Sequence, residues 1–424
     1  MCVTSVIDWI VLNFEHLGLT PALLKTLADM GLYAPTPIQA QAIPAVLQLA
    51  DVWATAPTGS GKTLAFALPL LQRLLDAPRT TNFRRPTRSL VLVPTRELAV
   101  QVGDVLANLA HKLPQSLKVS VVFGGVSVNP QMMALRGGAD IVVATPGRLL
   151  DLIDQNALRL ADVQHLVLDE ADRLLDLGFA DELQRVLALL PPKRQTLLFS
   201  ATFAPEVEAL AANLLREPLR ITFEAFDGHQ PDITQRAVAV DEKSRTALLR
   251  HLIAENCWKQ VLVFVATRYA CEHVAGKLYK AGVFATPFHG EMSQGARQEV
   301  LSEFKAGRWD VVVTTDLASR GIDIAMLPVV VNYDLPRSAT DYTHRIGRTG
   351  RAGAHGDAVS FVTAAALAHW QLIQKRESLE LALEHVPGFE PTETPPAPSP
   401  GNGGIKGTRL SKKDKLRAAA KDGL

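Results

Sequence analysis

A glycine-rich segment near the start of the chain contains the residue types that bind a polyphosphate. Residues 56–63 read Ala-Pro-Thr-Gly-Ser-Gly-Lys-Thr. Glycines let backbone N–H groups converge on phosphate oxygens, Lys62 supplies a positive charge to the β- and γ-phosphates, and Thr63 offers a hydroxyl to Mg²⁺. A chance glycine-rich turn before a helix is the alternative, but the intact Gly-Lys-Thr ending favours a nucleotide site.

An acidic cluster follows a short apolar run later in the chain. Leu166–Leu168 predicts a buried strand, and Asp169, Glu170, Ala171 and Asp172 come directly after it. A carboxylate at the carboxyl end of a parallel strand lies where open α/β sheets bind ligands. Asp169 can hold Mg²⁺, and Glu170 can orient or deprotonate the attacking water. Acidic capping of the next helix is the alternative role for one of these carboxylates.

Two sets of short apolar runs predict the elements that position these residues. Continuous runs of Val, Leu and Ile are typical of strands that are covered on both faces of a parallel sheet. The runs are Leu90–Val93, Val119–Phe123, Ile141–Ala144, Leu166–Leu168 and Thr196–Phe199, then Val261–Phe264, Phe284–Phe288, Val311–Val313, Val329–Val331 and Ala358–Val362. The intervening Phe223–Asp232 contains Gly228 and Pro231 and predicts a linker. We therefore expect an α/β protein with two tandem, doubly wound parallel-sheet lobes that share no sequence repeat.

Composition adds few constraints on function. The 424 residues carry a formal charge of +1, so a nucleic-acid partner would require locally placed basic residues. The three cysteines show no metal-ligand spacing. The apolar stretch Val3–Leu12 is interrupted by Asp8 and lacks the layout of a signal peptide. With no apolar run of membrane length, we expect a cytoplasmic protein without membrane contact.

The C-terminal segment 391–424 has a different composition. It begins with a proline-rich stretch, and from Gly401 onward it carries seven Lys or Arg residues against two Asp residues. Such a segment cannot bury enough apolar surface to fold alone, so we expect a disordered basic tail. An RNA-contacting arm and a simple solvated tail are equally compatible with this composition.

The acidic cluster spells Asp-Glu-Ala-Asp, and the chain resembles the DEAD-box RNA helicases over residues 14–385. Other segments that resemble the family's motifs occur in order: Gly31–Gln39, Pro94–Leu98, Gly124–Gly125, Thr145–Arg148, Ser200–Thr202, Val263–Arg268, Gln294 with Arg297, Thr314–Asp323 and His344–Arg351. The run Val122–Met133 looks most like the bacterial RhlE-type branch. The resemblance implies RecA-like lobes at 41–222 and 233–390, an adenine-reading region at 12–40 and the tail at 391–424.

The resemblance also implies the residues of the ATP site. Gln39 carries an amide that suits adenine N6 and N7, and Phe14 can stack on the purine. The alternatives are a surface amide and a core aromatic. The three arginines at 345, 348 and 351 are spaced by three, which on a helix or a tight turn would place them on one face. The resemblance implies that Arg348 and Arg351 reach the γ-phosphate. The full predicted set is Phe14, Thr36, Gln39, Thr58, Gly59, Ser60, Gly61, Lys62, Thr63 and Asp323 for ATP, Glu170, Asp169, Lys62, Arg348 and Arg351 for catalysis, Thr63 and Asp169 for Mg²⁺, and Asp172, Ser200, Thr202 and His344 for coupling.

RNA contacts are predicted on loops that follow the strands. Arginines, hydroxyls and backbone N–H groups suit phosphates and 2′-OH groups, and none of these loops carries an aromatic stacking surface. We therefore expect RNA to be bound mainly through its backbone. The predicted residues are Pro94, Thr95, Arg96, Gly125, Thr145, Pro146, Gly147, Arg148, Thr267, Gln294, Arg297, Thr315 and Asp316. Arg148 begins a stretch that resembles the family helix that kinks one RNA strand.

Several alternatives to this interpretation stay open at the level of sequence. A non-hydrolysing RNA clamp would share the fold, although intact Glu170, Arg348 and Arg351 argue against it. A DNA helicase is separated from an RNA helicase only by family analogy, and a P-loop transporter would need a different motif. Pro57 stands where the family usually has Gln, which predicts altered coupling rather than lost ATPase activity. The family implies a monomer with ribonucleoprotein or RNA-processing partners.

Overall fold

The computed structural model describes residues 13–57, 59–76, 85–202, 204–223, 232–319, 327–350 and 355–394. Within them the chain forms two lobes, each built on a seven-stranded parallel sheet. Lobe 1 contains β1 Val52–Thr55, β2 Ser89–Leu92, β3 Val119–Val122, β4 Ile141–Ala144, β5 His165–Leu168, β6 Gln195–Ser200 and β7 Leu219–Thr222. Lobe 2 contains β8 Ile233–Ala239, β9 Val261–Phe264, β10 Ala285–Phe288, β11 Val311–Thr314, β12 Val329–Asn332, β13 Gly356–Val362 and β14 Leu383–Glu384.

The two sheets have the same topology. The strand order is β3-β4-β2-β5-β6-β1-β7 in lobe 1 and β10-β11-β9-β12-β13-β8-β14 in lobe 2. Counted from the first strand of each lobe, these orders are identical. The fold therefore repeats a unit that the sequence does not visibly repeat, and the prediction of two doubly wound parallel-sheet lobes is confirmed.

Helices cover the sheets and bury both of their faces. Alternate strand residues enter different cores: Val91 and Val143 belong to one cluster in lobe 1, whereas Leu90 and Val142 belong to the other. The helices are α1 Pro21–Asp29, α2 Pro37–Leu47, α3 Lys62–Asp76, α4 Arg96–His111, α5 Val128–Ala134, α6 Pro146–Asp154, α7 Ala171–Asp176, α8 Ala180–Ala188, α9 Pro205–Leu214, α10 Arg245–Glu255, α11 Arg268–Lys280, α12 Gln294–Lys305, α13 Asp316–Ser319, α14 Ala339–Ile346 and α15 Leu367–Glu377, with short 3₁₀ helices at Phe14–Leu17, Glu242–Ser244 and Ala364–Ala366.

The sequence analysis did not predict four of the strands: β1, β7, β8 and β14. β1 is short and contains Ala and Trp instead of an aliphatic run, and β14 has only two residues. β7 lies at one edge of its sheet with a mostly exposed pattern, and β8 mixes polar with apolar residues. The prediction relied on continuous aliphatic runs, which these four strands lack.

The N-terminal segment packs onto lobe 1. Phe14, Leu23 and Ile38 share a core cluster with the strand residues Val91 and Val167. Helix α1 begins at Pro21 and ends at Asp29, two residues before Gly31, whose φ is +73°. This packing places α2 beside the loop that precedes α3.

The C-terminal part of the described chain is held against lobe 2. Phe389 contacts the ring of His251, and the Asp241 carboxylate accepts hydrogen bonds from the backbone N–H groups of Thr392 and Glu393 at 2.9–3.0 Å. Residues 395–424 of the predicted tail lie outside the described residues. In the part of the chain that the structure describes, no helix has the length and apolarity needed to span a bilayer.

Candidate active site

The glycine-rich loop connects β1 to α3, so α3 directs its N-terminus at the loop. Lys62 is the first helical residue and is buried, and its Nζ donates to the carbonyl of Ala56 at 2.6 Å and to that of Pro57 at 3.4 Å. The Ser60 hydroxyl is buried and makes no hydrogen bond within the described residues. A buried ammonium, a buried hydroxyl and a helix N-terminus suit a phosphate group. Thr58 lies outside the described residues.

The acidic cluster lies at the junction of β5 and α7. Asp169 and Glu170 are both buried, and the Asp169 carboxylate accepts a hydrogen bond from the Glu170 N–H at 3.0 Å. Glu170 has φ +51°, a left-handed conformation that costs a non-glycine residue about 1–2 kcal/mol. Such backbone strain is concentrated at functional sites, because a turn aims the side chain there.

Lys62 and the acidic cluster influence each other across the buried site. Burial lowers the pKa of Lys62, and the nearby Asp169 and Glu170 charges oppose this shift. Burial raises the pKa of Asp169 to about 7, against the opposing charge of Lys62. Desolvation is the largest cause of both pKa shifts. An anionic ligand would therefore stabilise the Lys62 ammonium, and a cationic ligand would stabilise the Asp169 carboxylate.

Arg173 is a site residue that the sequence interpretation missed. Its Nη1 donates to the Glu170 carboxylate at 2.9 Å, and both side chains are buried. A spacing of three residues brings them together on the first turn of α7. The signal was present in the sequence, because a basic residue three positions after the predicted water-activating carboxylate is placed to hold it.

Gln39 connects α2 to the phosphate loop. Its Oε1 accepts a hydrogen bond from the Thr36 N–H at 2.9 Å, and its Nε2 donates to the Gly61 carbonyl at 3.1 Å. Gly61 has φ +93°, and a Cβ there would lie 2.4 Å from Gln39 Nε2, so only glycine fits. Phe14 is 3% exposed within the lobe 1 core, where its ring acts as a packing residue. Adenine recognition by these two side chains stays a prediction.

A hydrogen-bonded chain joins the acidic cluster to residues 200–202. The Asp172 carboxylate accepts from the Ala201 N–H at 3.2 Å and from the Thr202 hydroxyl at 3.3 Å. The Ser200 carbonyl in turn accepts from the Ala56 N–H at 3.1 Å. The predicted coupling residues of lobe 1 therefore contact both the acidic cluster and the phosphate loop.

Lobe 2 places basic groups against this cluster. Arg173 of lobe 1 lines one small cavity together with His344 and Arg348 of lobe 2. Burial lowers the pKa of His344 to about 4, and the charge of Arg173 adds to the shift. The residues predicted to activate water and to bind phosphate thus lie close to basic residues of lobe 2.

Two of the three predicted arginines, Arg345 and Arg348, lie within the described residues. α14 ends at Ile346, so Arg345 is on the helix and Arg348 is in the turn that follows it. Arg345 is buried and donates to the Asp316 carboxylate at 2.5 and 2.7 Å and to Asn332 Oδ1 at 3.0 Å, which makes it a structural residue of lobe 2. Arg345 and Arg348 both line the small cavity between the lobes, whereas Arg351 and Asp323 lie outside the described residues.

A second opening, of about 520 Å³, separates the lobes beside this site; we call it the inter-lobe cleft. Its wall on lobe 1 consists of Pro94, Thr95, Arg96, Glu97, Gly124, Gly125, Thr145, Gly147, Arg148, Asp151, Leu177 and Phe179, and its wall on lobe 2 consists of Gly290, Arg297, Leu317 and Ala318. Arg148 is buried with its Nη1 unpartnered within the described residues, which suits a phosphate oxygen. Gly125 permits the Arg96 guanidinium to lie on its backbone, since a Cβ there would be 1.9 Å away.

Comparison with known proteins decides the family. A model described as DEAD/DEAH box helicase matches residues 36–210, and one described as helicase conserved C-terminal domain matches residues 243–353. The chain belongs to the DEAD-box RNA helicase family. It is therefore an ATP-dependent RNA helicase, an enzyme that hydrolyses ATP.

Individual relatives cover both lobes of this helicase. The ATP-dependent rRNA helicase rrp3 of Sclerotinia sclerotiorum is 40% identical over 89% of this chain and 78% of its own length. The DEAD-box ATP-dependent RNA helicase 40 of Oryza sativa is 42% identical over 83% of this chain and 44% of its own length. These relatives are eukaryotic and do not support the predicted placement in the bacterial RhlE-type branch.

A solved structure shows a similar arrangement of the two lobes. Saccharomyces cerevisiae Dbp5 bound to RNA and ADP BeF3 matches with a TM-score of 0.75 and 31% identity, over 88% of this chain and 95% of that chain. A likeness of this size across both lobes requires that they be placed similarly. The helicase in this structure therefore has its lobes arranged much as in an RNA- and nucleotide-bound relative.

Five predicted RNA-binding residues are not among those that line the inter-lobe cleft: Pro146, Thr267, Gln294, Thr315 and Asp316. Pro146 begins α6, Thr267 caps α11 through its hydroxyl, and Thr315 lies just before α13. The Asp316 carboxylate is held by Arg345, and Gln294 lines a separate groove between α4 and α12. Arg297 lies at the cleft, but its Nε donates to Glu97 of lobe 1 at 2.8 Å and its terminal nitrogens donate to the carbonyls of His289 and Ala318.

Proposed function

We propose that ATP and RNA each draw the two lobes together, and that hydrolysis lets them part. The observation that carries this proposal is the division of the site. Lys62, Asp169 and Glu170 belong to lobe 1, whereas Arg348 reaches the same region from lobe 2. The inter-lobe cleft is divided in the same way. Each ligand gains contacts only when the lobes close, so each favours binding of the other.

The expected coupling follows from this shared closure. Linkage of this kind typically amounts to about 1–3 kcal/mol, or roughly 5- to 150-fold in affinity. Removal of the γ-phosphate takes away the group that Arg348 would contact, which allows RNA to leave. An enzyme that closes and reopens on one site separates short duplexes locally and does not travel along RNA.

Thr63 and Asp169 are the residues that would hold Mg²⁺. The Asp169 carboxylate is buried, and its raised pKa reflects desolvation that a divalent cation would relieve. Hydroxyl and carboxylate oxygens are the ligands that Mg²⁺ prefers, and the ion neutralises charge on the transferred phosphoryl group. Within this arrangement Glu170 orients the attacking water, and Arg173 fixes the Glu170 carboxylate.

The inter-lobe cleft is suited to the RNA backbone. Its lobe 1 wall presents arginines, hydroxyls and glycine backbone, with Phe179 as its aromatic residue. Relatives that are named rRNA helicases make ribosomal RNA the first substrate class to test. A monomer, a cytoplasmic location and ribonucleoprotein partners stay predictions from the sequence.

The basic tail would add affinity without adding chemistry. We expect deletion of residues 391–424 to leave turnover at saturating RNA unchanged and to weaken RNA binding more at low salt than at high salt. The reason is that fewer counterions are released from the RNA. If the slope of log RNA affinity against log salt is the same with and without the tail, the tail makes no RNA contact.

The proposal is tested by RNA affinity in two nucleotide states. Wild type should bind single-stranded RNA more tightly with a non-hydrolysable ATP analogue than with ADP, and Arg348→Ala should lose most of that difference. Glu170→Gln should retain ATP and RNA binding while turnover collapses, and Lys62→Ala should lose nucleotide binding. Equal RNA affinities of wild type in both states would overturn the coupled closure.

A further inference from the structure

Two aromatic rings on lobe 2 are stacked in solvent. Tyr269 is 73% exposed, and its ring lies against that of His273 with centroids 5.6 Å apart and an angle of 14° between the planes. The two residues are four positions apart on α11, which places them on one side of the helix. A tyrosine with so much of its surface in water gains little from burial, so its contribution to folding is small.

The start of α11 is fixed to a wall of the inter-lobe cleft. Arg268 forms an ion pair with Glu291, and His289 Nε2 lies 3.2 Å from the Glu272 carboxylate. Gly290, between these two partners, lines the cleft. Tyr269 is thus one residue from Arg268, whose partner Glu291 is adjacent in sequence to the cleft-lining Gly290.

We propose that Tyr269, backed by His273, stacks on a base of the single-stranded RNA whose backbone occupies the inter-lobe cleft. The inference rests on the proposed function of that cleft. A strand that is bound through its phosphates leaves its bases free, and every base has a flat face that an aromatic ring can cover. His273 supports the opposite face of the tyrosine ring, so the pair extends the base stack by two rings.

The electrostatic surroundings permit an RNA strand here. Two acidic residues lie close to the ring pair, and each has a partner. Glu291 forms an ion pair with Arg268, and the Glu272 carboxylate lies 3.2 Å from His289 Nε2. Because stacking recognises the ring face and not its edge, the contact adds affinity without sequence preference. The sequence interpretation expected no stacking surface on the RNA loops, and this pair lies one helical turn beyond such a loop.

The same helix offers a matched control. Tyr279 is 58% exposed and lies ten residues further along α11, about 15 Å away at the rise of an α-helix. Replacing either tyrosine removes an exposed phenol from the same helix. Only Tyr269 adjoins the segment that lines the cleft, so the two substitutions should differ in RNA binding and agree in stability.

The experiment measures binding of short single-stranded RNA to the full-length protein with a non-hydrolysable ATP analogue. Tyr269→Ser should weaken binding by roughly 5- to 150-fold, the range for loss of one base–aromatic stack, while Tyr269→Trp and Tyr279→Ser stay near wild type. A 2-aminopurine placed at successive positions should lose protein-induced quenching at one position in Tyr269→Ser.

The outcomes separate this inference from the function on which it rests. If wild type shows nucleotide-dependent RNA binding and the two variants Tyr269→Ser and Tyr279→Ser bind RNA with equal affinity, the proposed stacking contact is wrong. The proposed role of the cleft in RNA binding is then unaffected. A quenching pattern that is the same in wild type and Tyr269→Ser also overturns it, and would leave the ring pair as a surface for a protein partner. If wild type shows no nucleotide-dependent binding, the proposed function of the cleft fails first.

Discussion

The Glu170 carboxylate and the Arg173 guanidinium lie 2.9 Å apart, and the two side chains are only 9% and 6% exposed. A buried charge pair with this geometry restricts both groups to one orientation. Arg173 also borders the cavity that His344 and Arg348 enter from lobe 2. One arginine therefore contacts Glu170, the residue proposed to orient the attacking water, and borders the same cavity as the basic residues of lobe 2.

Arg173→Gln should reduce ATP turnover by about 10- to 100-fold and leave ATP affinity near wild type, because the phosphate loop is untouched. Steady-state measurements of kcat and KM check this split. In a Glu170→Gln background the same change should have little further effect, because residues that act as a unit are not additive. The exposed Arg185 provides the control substitution Arg185→Gln. Equal losses from Arg173→Gln in both backgrounds would show that Arg173 acts independently of Glu170.

Gln39 should affect the binding of both the base and the phosphates of the nucleotide. Its amide donates to the Gly61 carbonyl, so an adenine bound to that amide has to compete with the phosphate loop. We expect Gln39→Ala to weaken ATP binding by about tenfold, the value of one hydrogen bond with a buried partner, and GTP binding by less. Competition binding with both nucleotides measures the difference. If ATP and GTP weaken equally, Gln39 acts only through the loop.

His344 should make lobe closure sensitive to pH. Its pKa is lowered to about 4 by burial at the lobe interface, whereas an exposed imidazole has a pKa of 6.5. Closure therefore favours the neutral imidazole. Between these two values the open form binds the proton better, so closed-state stability is fully present above 6.5 and is lost as pH falls toward 4. RNA affinity with an ATP analogue should fall by at most tenfold per pH unit in that window.

A non-titrating substitution isolates this histidine. His344→Gln should flatten the pH dependence between pH 6.5 and 5, with RNA affinity measured by the same titration. Exposed His251, which lies on the outer part of lobe 2, gives the comparison His251→Gln. A pH dependence that survives His344→Gln unchanged would show that another group takes up the proton.

The central part of the fold follows from sequence because its strands are buried on both faces. β4 and β11 are unbroken aliphatic runs, and no other element tolerates such runs as well. β7 and β8 were not predictable in this way, since an edge or half-exposed strand carries no continuous apolar pattern. The common topology of the lobes depends on tertiary pairing and leaves no repeat in the residues.

In the candidate site, too, local features could be predicted from the sequence and long-range contacts could not. Lys62, Asp169 and Glu170 could be predicted because each belongs to a local motif with a fixed chemical role. The pairing of Arg297 with Glu97 could not, because the two residues are 200 positions apart and meet only when the lobes are arranged side by side. A motif predicts which residues matter, whereas the partner that each residue contacts is set by the fold.

Arg297 should act on lobe closure and not on RNA phosphate. Its Nε donates to Glu97 at 2.8 Å, its terminal nitrogens bind carbonyls of lobe 2, and its guanidinium lies 4.3 Å from the Phe288 ring centroid. We expect Glu97→Gln to lower RNA affinity with an ATP analogue by about 5- to 150-fold, the usual range of inter-site coupling. ATP affinity without RNA should stay near wild type.

The salt dependence of RNA binding separates this role from a phosphate contact. Removing one phosphate contact lowers the slope of log affinity against log salt by about one. Arg148→Gln should therefore reduce the slope, because Arg148 lines the inter-lobe cleft and its Nη1 makes no hydrogen bond within the described residues. Glu97→Gln should weaken binding with the slope unchanged, since no protein–phosphate contact is lost. The decisive variant is Arg297→Gln: a slope equal to that of Glu97→Gln assigns Arg297 to closure, and a slope equal to that of Arg148→Gln would return it to the RNA-binding residues.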